Sequence, residues 1–143
     1  MYANIHTIEV WKEKLRTITL IADFHDEYKV TKEIGKGSFA RVYYAKRKST
    51  GEEFAIKAFS KLSLDEEKDG VVGLYNEVKI MRALGTKKGN FHMVFYEIHE
   101  TTNSVYLVIE YLTGGELLKA IEKNKNLSET LIKKIMKNFI KGL

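Results

Sequence analysis

The chain has 143 residues, a formal net charge of +5 and no cysteine, which allows the core of one domain and excludes disulfides, thiolate metal sites and a cysteine nucleophile. Its lysines mostly alternate with acidic residues, a pattern of a solvated surface that argues against nucleic-acid binding. No apolar run approaches the roughly 18–20 residues of a membrane helix and no signal peptide is visible, so we expect a cytoplasmic protein without a transmembrane segment.

Residues 1–26 differ in pattern from the rest of the chain and are predicted to form a helical extension. Apolar residues recur there at steps of three and four, as on one face of a helix: Ile8, Trp11, Leu15 and Ile18. Two interpretations stay open, an extension that packs on the following domain and the closing helix of a preceding domain. The run from Trp11 to Leu15 resembles the end of a pleckstrin-homology domain.

Strands and turns follow from Tyr28 onward. Five runs have the composition of strands, at 28–34, 41–46, 53–59, 95–100 and 105–111. An inward apolar stripe predicts one helix over 74–84, formed by Leu74, Val78, Met81 and Leu84. Two further helices are predicted, one near 116–123 and one after Ser128, a residue type suited to a helix N-cap.

A glycine-containing turn joins the first two predicted strands. It reads Ile34-Gly35-Lys36-Gly37-Ser38-Phe39-Ala40-Arg41-Val42. Because Gly35 and Gly37 lack side chains, the backbone of this turn could approach phosphate oxygens closely. Turns between strands often contain two glycines, so this segment alone does not distinguish a structural turn from a phosphate-binding one.

Lys57 stands in an apolar strand beside Ala55. Alone, it could be an ordinary lysine on an exposed face. Glu77 changes this interpretation, because it falls three residues after Leu74 and four before Met81, on the inward stripe of the predicted helix. An unpartnered buried charge costs about 3–5 kcal/mol, so we expect Glu77 to pair with Lys57.

Together with the segment 105–117, an apolar strand that leads into Gly114-Gly115, these elements resemble the start of a eukaryotic serine/threonine protein kinase domain. The resemblance implies an α+β fold: a kinase-like small lobe with a five-stranded antiparallel sheet and one inserted helix, followed by two helices of a truncated large lobe. The runs 55–61 and 111–116 are most similar to calcium/calmodulin-dependent kinases.

The same resemblance implies the domain boundaries. Residues 27–143 would form a partial kinase domain after the extension at 1–26. Within it, the small lobe would occupy 27–109, the hinge 110–115 and the start of the large lobe 116–143.

The resemblance also implies an ATP site. Lys57 would hold the α- and β-phosphates and Glu77 would orient it, so these two residues have the expected catalytic roles. Phe39 would cap the phosphates and Val42 would cover the adenine. The full set of expected ATP-binding residues is Ile34, Gly35, Lys36, Gly37, Ser38, Phe39, Ala40, Val42, Ala55, Lys57, Ile109, Glu110, Leu112 and Glu116.

Four of these residues belong to the hinge region. Ile109 corresponds to the gatekeeper at the back of the adenine pocket. The backbone carbonyl of Glu110 and the amide of Leu112 would hydrogen-bond the adenine edge. Glu116 corresponds to a residue that contacts the ribose or a substrate arginine in basophilic kinases, and it could equally be a first-turn acid favoured by the helix dipole.

Three features depart from the family pattern. Ala40 replaces the third glycine of the turn, which predicts a stiffer loop. Residues 85–92 replace a shorter His-Pro-Asn turn, which puts the docking of the inserted helix on the large lobe in question. The His-Arg-Asp catalytic loop and the Mg²⁺-binding Asp-Phe-Gly segment do not occur in this sequence, so we expect no metal ligands and no phosphoryl transfer by this chain alone.

The last predicted helix has two contrasting faces. One is apolar, with Leu131, Ile132, Ile135, Met136, Phe139 and Ile140, and the other carries lysines. The resemblance implies that a large lobe buries the apolar face, which would otherwise be open to a partner. We therefore expect the ATP-binding portion of a kinase that transfers the γ-phosphate of MgATP to a protein substrate. The alternative is a non-catalytic module that acts by nucleotide sensing or protein–protein interaction.

Overall fold

The computed structural model describes residues 20–21, 23–66, 69–84, 93–123 and 128–141. The apolar stripe predicted within residues 1–19 and the unusual turn at 85–92 lie outside the described residues. No helix in the described part of the chain is long and apolar enough to cross a membrane.

Six strands form one sheet in the order β1-β5-β6-β4-β3-β2. They are β1 (Leu20–Ile21), β2 (Tyr28–Lys36), β3 (Ala40–Arg47), β4 (Glu53–Ser60), β5 (Phe95–Glu100) and β6 (Ser104–Glu110). The five longer strands pair antiparallel, which confirms the predicted sheet. Sequence analysis missed β1, which pairs parallel to β5, because two residues are too few to show the alternation of a strand.

Five helices accompany the sheet: α1 (Phe24–Glu27), α2 (Lys61–Glu66), α3 (Gly70–Leu84), α4 (Leu117–Lys123) and α5 (Glu129–Lys141). The prediction of one inserted helix over 74–84 was incomplete, because both α2 and α3 lie between β4 and β5. The first turn of α3 contains two glycines and exposed valines, so the inward stripe appears only from Leu74 onward. The amide of Leu131 donates to Oγ of Ser128 at 3.3 Å, which confirms the predicted N-cap of α5.

The sheet has one apolar cluster on each face, because consecutive side chains of a strand point to opposite sides. On the face covered by α2 and α3, here called the inner face, the buried residues are Ala40, Ala55, Phe59, Leu64, Phe95, Ile98, Leu107 and Ile109. On the opposite, outer face they are Phe24, Tyr28, Ala45, Phe54, Ile56 and Val108. Phe24 belongs to α1, so this short helix covers part of the outer face.

The prediction of an inward apolar stripe on α3 is correct for three of its four residues. Leu74, Val78 and Met81 pack against the inner cluster. Leu84, at the end of the helix, is 47% exposed, so its predicted inward position was wrong. The helix terminates at this residue, and the stripe loses contact with the sheet there.

Candidate functional site

Lys57 lies in the middle of β4 on the inner face. It stands opposite Val42 of β3 and Leu107 of β6, so apolar side chains flank it in both neighbouring strands. Its Nζ donates to Oε1 of Glu77 on α3. The two side chains are 27% and 26% exposed, so the pair is partly buried but accessible from solvent.

The packing of α3 places Glu77 over the sheet. Leu74 and Val78 pack on the inner cluster, and Glu77 lies between them on the same side of the helix. At about 4 Å and an effective dielectric near 20, two opposite unit charges attract by roughly 4 kcal/mol, and exposure reduces this value. The Nζ of Lys57 also lies 5.2 Å from the ring centre of Phe59, a favourable cation–π distance.

The glycine turn connects β2 and β3 at one end of the sheet. Gly35 stands opposite Val42, and the amide of Gly37 donates to the carbonyl of Ala40 at 2.8 Å. A Cβ atom added to Gly35 would lie 3.5 Å from Cβ of Val42, an ordinary contact, and the described backbone has no positive φ at either glycine. The fold of the turn therefore does not itself require glycine at position 35.

A cavity of about 370 Å³ connects the tip of the turn with the ion pair. Its lining includes Phe39 from the turn, Phe59 from β4, and Gly73 and Glu77 from α3. Phe39 is 48% exposed, so the tip is not anchored in the core. The structure thus brings the glycine turn and Glu77 to the two sides of one cavity.

The residues expected around adenine share the inner face. Ala55 stands directly opposite Ile109 in the β4–β6 pair, and Val42 packs against the same cluster. Ala55 and Ile109 are both buried. These three side chains form an apolar surface beside Lys57, at the end of the sheet where β6 leads into residues 111–116.

The remaining expected residues lie around this surface. The amide of Glu110 donates to the carbonyl of Val94 at 2.9 Å, and its carboxylate accepts from the amide of Val94 at 3.2 Å. Leu112 is 60% exposed. Glu116 immediately precedes α4, is exposed and pairs with Lys119 at 3.1 Å. Exposed turn residues complete the set: Ile34, Lys36 and Ser38.

A buried polar network on the outer face was not found from the sequence. Oε1 of Glu97 accepts from the Tyr28 hydroxyl, accepts from Arg47 at 3.2 Å and lies 3.0 Å from Nε2 of His99. Arg47 also donates to the Tyr28 hydroxyl at 2.6 Å. Burial, and next the hydrogen bond with Glu97, raise the pKa of Tyr28 above its ordinary value.

This network explains why an acid and a histidine can occur in the apolar strand β5. Glu97 and His99 are 1% and 0% exposed, and they alternate on one face of the strand, which was the available sequence signal. With Glu27 they could bring three ligand atoms within 4.8 Å of one another. The positively charged guanidinium of Arg47 already donates to the carboxylate of Glu97, so binding of a further cation there is disfavoured.

Sequence comparisons with known proteins agree on one family of relatives. Residues 28–143 match the model of the protein kinase domain family. The chain is 36% identical over 122 residues to CBL-interacting protein kinase 26 of Oryza sativa subsp. japonica, covering 82% of this chain and 23% of the relative. It is 36% identical over 120 residues to calcium-dependent protein kinase 4 of Plasmodium falciparum, covering 84% and 22%.

A third relative is the serine/threonine-protein kinase PLK4 of Danio rerio, 37% identical over 125 residues, covering 86% of this chain and 13% of the relative. The chain therefore spans at most 23% of the length of these three proteins. Each match is to a protein several times longer than the sequence described above.

Proposed function

This chain belongs to the protein kinase domain family, and we propose that it is the ATP-binding portion of a serine/threonine protein kinase. The observation that carries the proposal is the ion pair between Lys57 and Glu77 on the inner face, beside the glycine turn. An ion pair that served only to stabilise the fold would not require an open glycine turn and an apolar surface beside it.

Each group would have a separate part in holding the nucleotide. Backbone amides of the turn other than that of Gly37, which donates to the carbonyl of Ala40, would face the phosphates, since no side chain at Gly35 or Gly37 obstructs them. Lys57 would donate to phosphate oxygens, and Glu77 would hold the lysine in place. The adenine would lie on the surface formed by Val42 and its neighbours on β4 and β6.

Bound ATP would supply the γ-phosphoryl group of the reaction. The motifs with which the family binds Mg²⁺ and positions the acceptor hydroxyl do not occur in this sequence. Phosphoryl transfer to a protein substrate is therefore proposed for a whole protein that contains those motifs, in which this chain contributes nucleotide binding. The domain boundaries at residues 26 and 110–116 and the cytoplasmic location stay predictions.

The experiment is titration of the chain with ATP in a calorimeter, with and without Mg²⁺. We expect weak binding in the millimolar range, about −4 kcal/mol, because only part of a nucleotide cleft is present. Lys57→Met should abolish measurable binding, since it removes the cation that contacts the phosphates. Lys79→Met is the matched control, because Lys79 is an exposed lysine on the same helix as Glu77 and should leave binding unchanged.

Equal binding by the parent chain and the Lys57→Met variant would contradict the proposed site. Tight, Mg²⁺-dependent binding would contradict the expectation that this chain holds only part of the cleft. Circular dichroism of both variants separates a loss of binding from a loss of folding.

A second candidate function is a non-catalytic interaction module. The observation that favours it is the apolar face of α5, on which Met136, Phe139 and Ile140 are 51%, 62% and 64% exposed. Such a face is available to a partner protein or to a further part of the same protein. Partner binding through α5 should be unaffected by Lys57→Met, which distinguishes this function from nucleotide binding.

A further inference from the structure

A second, larger groove of about 720 Å³ lies mainly on the outer face of the sheet and extends past the glycine turn to Phe39 and Phe59, which also line the cavity beside Glu77. Tyr43, Ile56 and Tyr106 of the outer cluster contribute to its floor. Phe24 of α1 lines one side, and the glycine turn with Arg41 lines another. We call it the outer groove.

The charged groups that line the outer groove are basic. They are Lys29, Lys36, Arg41 and Lys48, together with His25, and no acidic residue of the described part of the chain lines it. Lys36 and Arg41 stand directly opposite each other in the β2–β3 pair, an arrangement of like charges that destabilises a sheet. Arg41 pairs with Glu33 at 3.5 Å and Nζ of Lys48 donates to the carbonyl of His25 at 2.8 Å, whereas Lys36 forms no ion pair among the described residues.

The spacing of these charges indicates the shape of the ligand. Arg41 lies near the start of β3, and Lys48 follows the last residue of that strand. Six residues lie between them, so their Cα atoms are at most about 23 Å apart at roughly 3.3 Å per residue. One phosphate or carboxylate cannot contact both ends, whereas an extended peptide of about seven or eight residues can.

The floor between the charged ends is aromatic. Tyr43 and Tyr106 are only partly buried. One face of the Tyr106 ring stacks on Phe24 with the ring centres 3.9 Å apart, so the Tyr43 ring and the remaining surface of Tyr106 are available to an apolar or aromatic side chain. The complementary peptide would therefore have acidic residues at both ends and an aromatic residue in the middle.

The first 19 residues of this chain do not fit that description. They contain three basic residues, Lys12, Lys14 and Arg16, and two acidic ones, Glu9 and Glu13, a net charge of +1. A segment without an excess of acidic residues is a poor complement to a basic groove. We therefore place the complementary acidic segment outside these residues.

We propose that the outer groove binds an extended acidic peptide segment of a partner protein. Its acidic ends lie on Lys36 and Arg41 at one end of the groove and on Lys48 at the other. Its central aromatic side chain lies on Tyr43 and Tyr106. The groove shares the turn residues 36–40 with the proposed nucleotide site, but neither Lys57 nor Glu77 lines it.

The test uses the 143-residue chain and a fluorescein-labelled eight-residue peptide with acidic residues at both ends and two central phenylalanines. Fluorescence anisotropy should show saturable binding that weakens as salt is added. The double variant Arg41→Ala/Lys48→Ala should bind about tenfold more weakly, because two exposed charge contacts are lost. The matched control Lys134→Ala/Lys137→Ala, which removes two exposed lysines of α5, should bind like the parent chain.

Two further measurements test the aromatic floor of the outer groove and whether peptide binding requires Lys57. A peptide with two central alanines in place of the phenylalanines should bind more weakly to the unchanged protein, with no risk to its folding. Lys57→Met should keep full peptide affinity, so failure of the nucleotide proposal and failure of this one give different results.

The proposal is overturned if the peptide produces no anisotropy change up to about 1 mM. It is also overturned if the Arg41→Ala/Lys48→Ala variant binds as well as the parent chain. Binding to phosphatidylserine vesicles that this variant loses, without peptide binding, would assign the groove to a membrane surface and contradict a protein partner.

Discussion

A substitution at Gly35 distinguishes the requirements of folding from those of nucleotide binding. Its backbone adopts an ordinary negative φ, and an added Cβ would have only normal contacts with Val42. The Gly35→Ala variant should therefore fold with unchanged or slightly greater stability, by up to about 1 kcal/mol, because glycine is unfavourable within a strand. It should nevertheless lose nucleotide affinity, since the new methyl group would obstruct the backbone from approaching phosphates.

Urea unfolding and ATP calorimetry of the same Gly35→Ala sample measure the two effects. A marked loss of stability would show that the turn itself requires glycine. Unchanged ATP binding would remove the glycine turn from the proposed site.

At the scale of elements, the start of α3, the helix that carries Glu77, packs closely against Leu64 of α2. A Cβ atom at Gly70, the first residue of α3, would lie 2.3 Å from the carbonyl oxygen of Leu64 and 2.9 Å from its Cα. Backbone atoms cannot give way as a flexible side chain can, so Gly70→Ala must displace the start of α3. Because α3 carries Glu77, we expect weaker ATP binding together with a stability loss of about 1–3 kcal/mol.

Gly73→Ala is the matched control on the same helix. Nothing lies within 4 Å of a Cβ at that position, and alanine is favoured over glycine in a helix by about 1 kcal/mol. The control should therefore be stabilised, and only its stability is compared with that of Gly70→Ala, because Gly73 also lines the cavity beside Glu77. A Gly70→Ala variant that behaves like Gly73→Ala would show that the α2–α3 junction does not position Glu77.

At the scale of the whole molecule, the buried network on the outer face joins three strands. Tyr28 opens β2, Arg47 closes β3 and Glu97 lies in β5. Their mutual hydrogen bonds connect the edge strand β2 with the opposite side of the sheet. Breaking such a buried network by removing one partner leaves polar groups unsatisfied, so the network should contribute to global stability.

The network also predicts how stability depends on alkaline pH. The pKa of Tyr28 is raised in the folded protein, so below the ordinary value of about 10 its phenol is protonated in both states and its contribution is fully present. Above that pH, the unfolded chain loses the proton and the folded protein keeps it. Stability should then fall by up to about 1.4 kcal/mol for each pH unit.

Urea unfolding at about pH 8 and about pH 11 tests this dependence. Tyr28→Phe should be less stable at the lower pH by about 1–3 kcal/mol, because Glu97 loses a hydrogen bond, and it should lose less stability than the parent chain on going to the higher pH. Tyr75→Phe removes an exposed phenol and should behave like the parent chain. An identical alkaline loss in Tyr28→Phe and the parent would rule out Tyr28 as its source.

The local pattern of the sequence was sufficient to predict the five long strands, the N-cap at Ser128 and the inward position of Glu77, which requires a positively charged partner. The alternation of Ala55 and Ile56 along β4 shows in the sequence which side chains share a face. The need to neutralise an inward carboxylate is equally local, because it follows from the helical spacing of Glu77 alone. The functional roles of the site residues stay predictions, since no ligand contact tests them.

Tertiary structure decided the features that depend on contacts between distant segments. The strand β1 and the network of Tyr28, Arg47 and Glu97 exist only because residues up to 78 positions apart meet on one sheet. The basic outer groove likewise combines residues of α1, β2, β3, β4 and β6. A sequence pattern records which side a residue faces within its own strand or helix, but the residue that it meets there is determined by the packing of the whole chain.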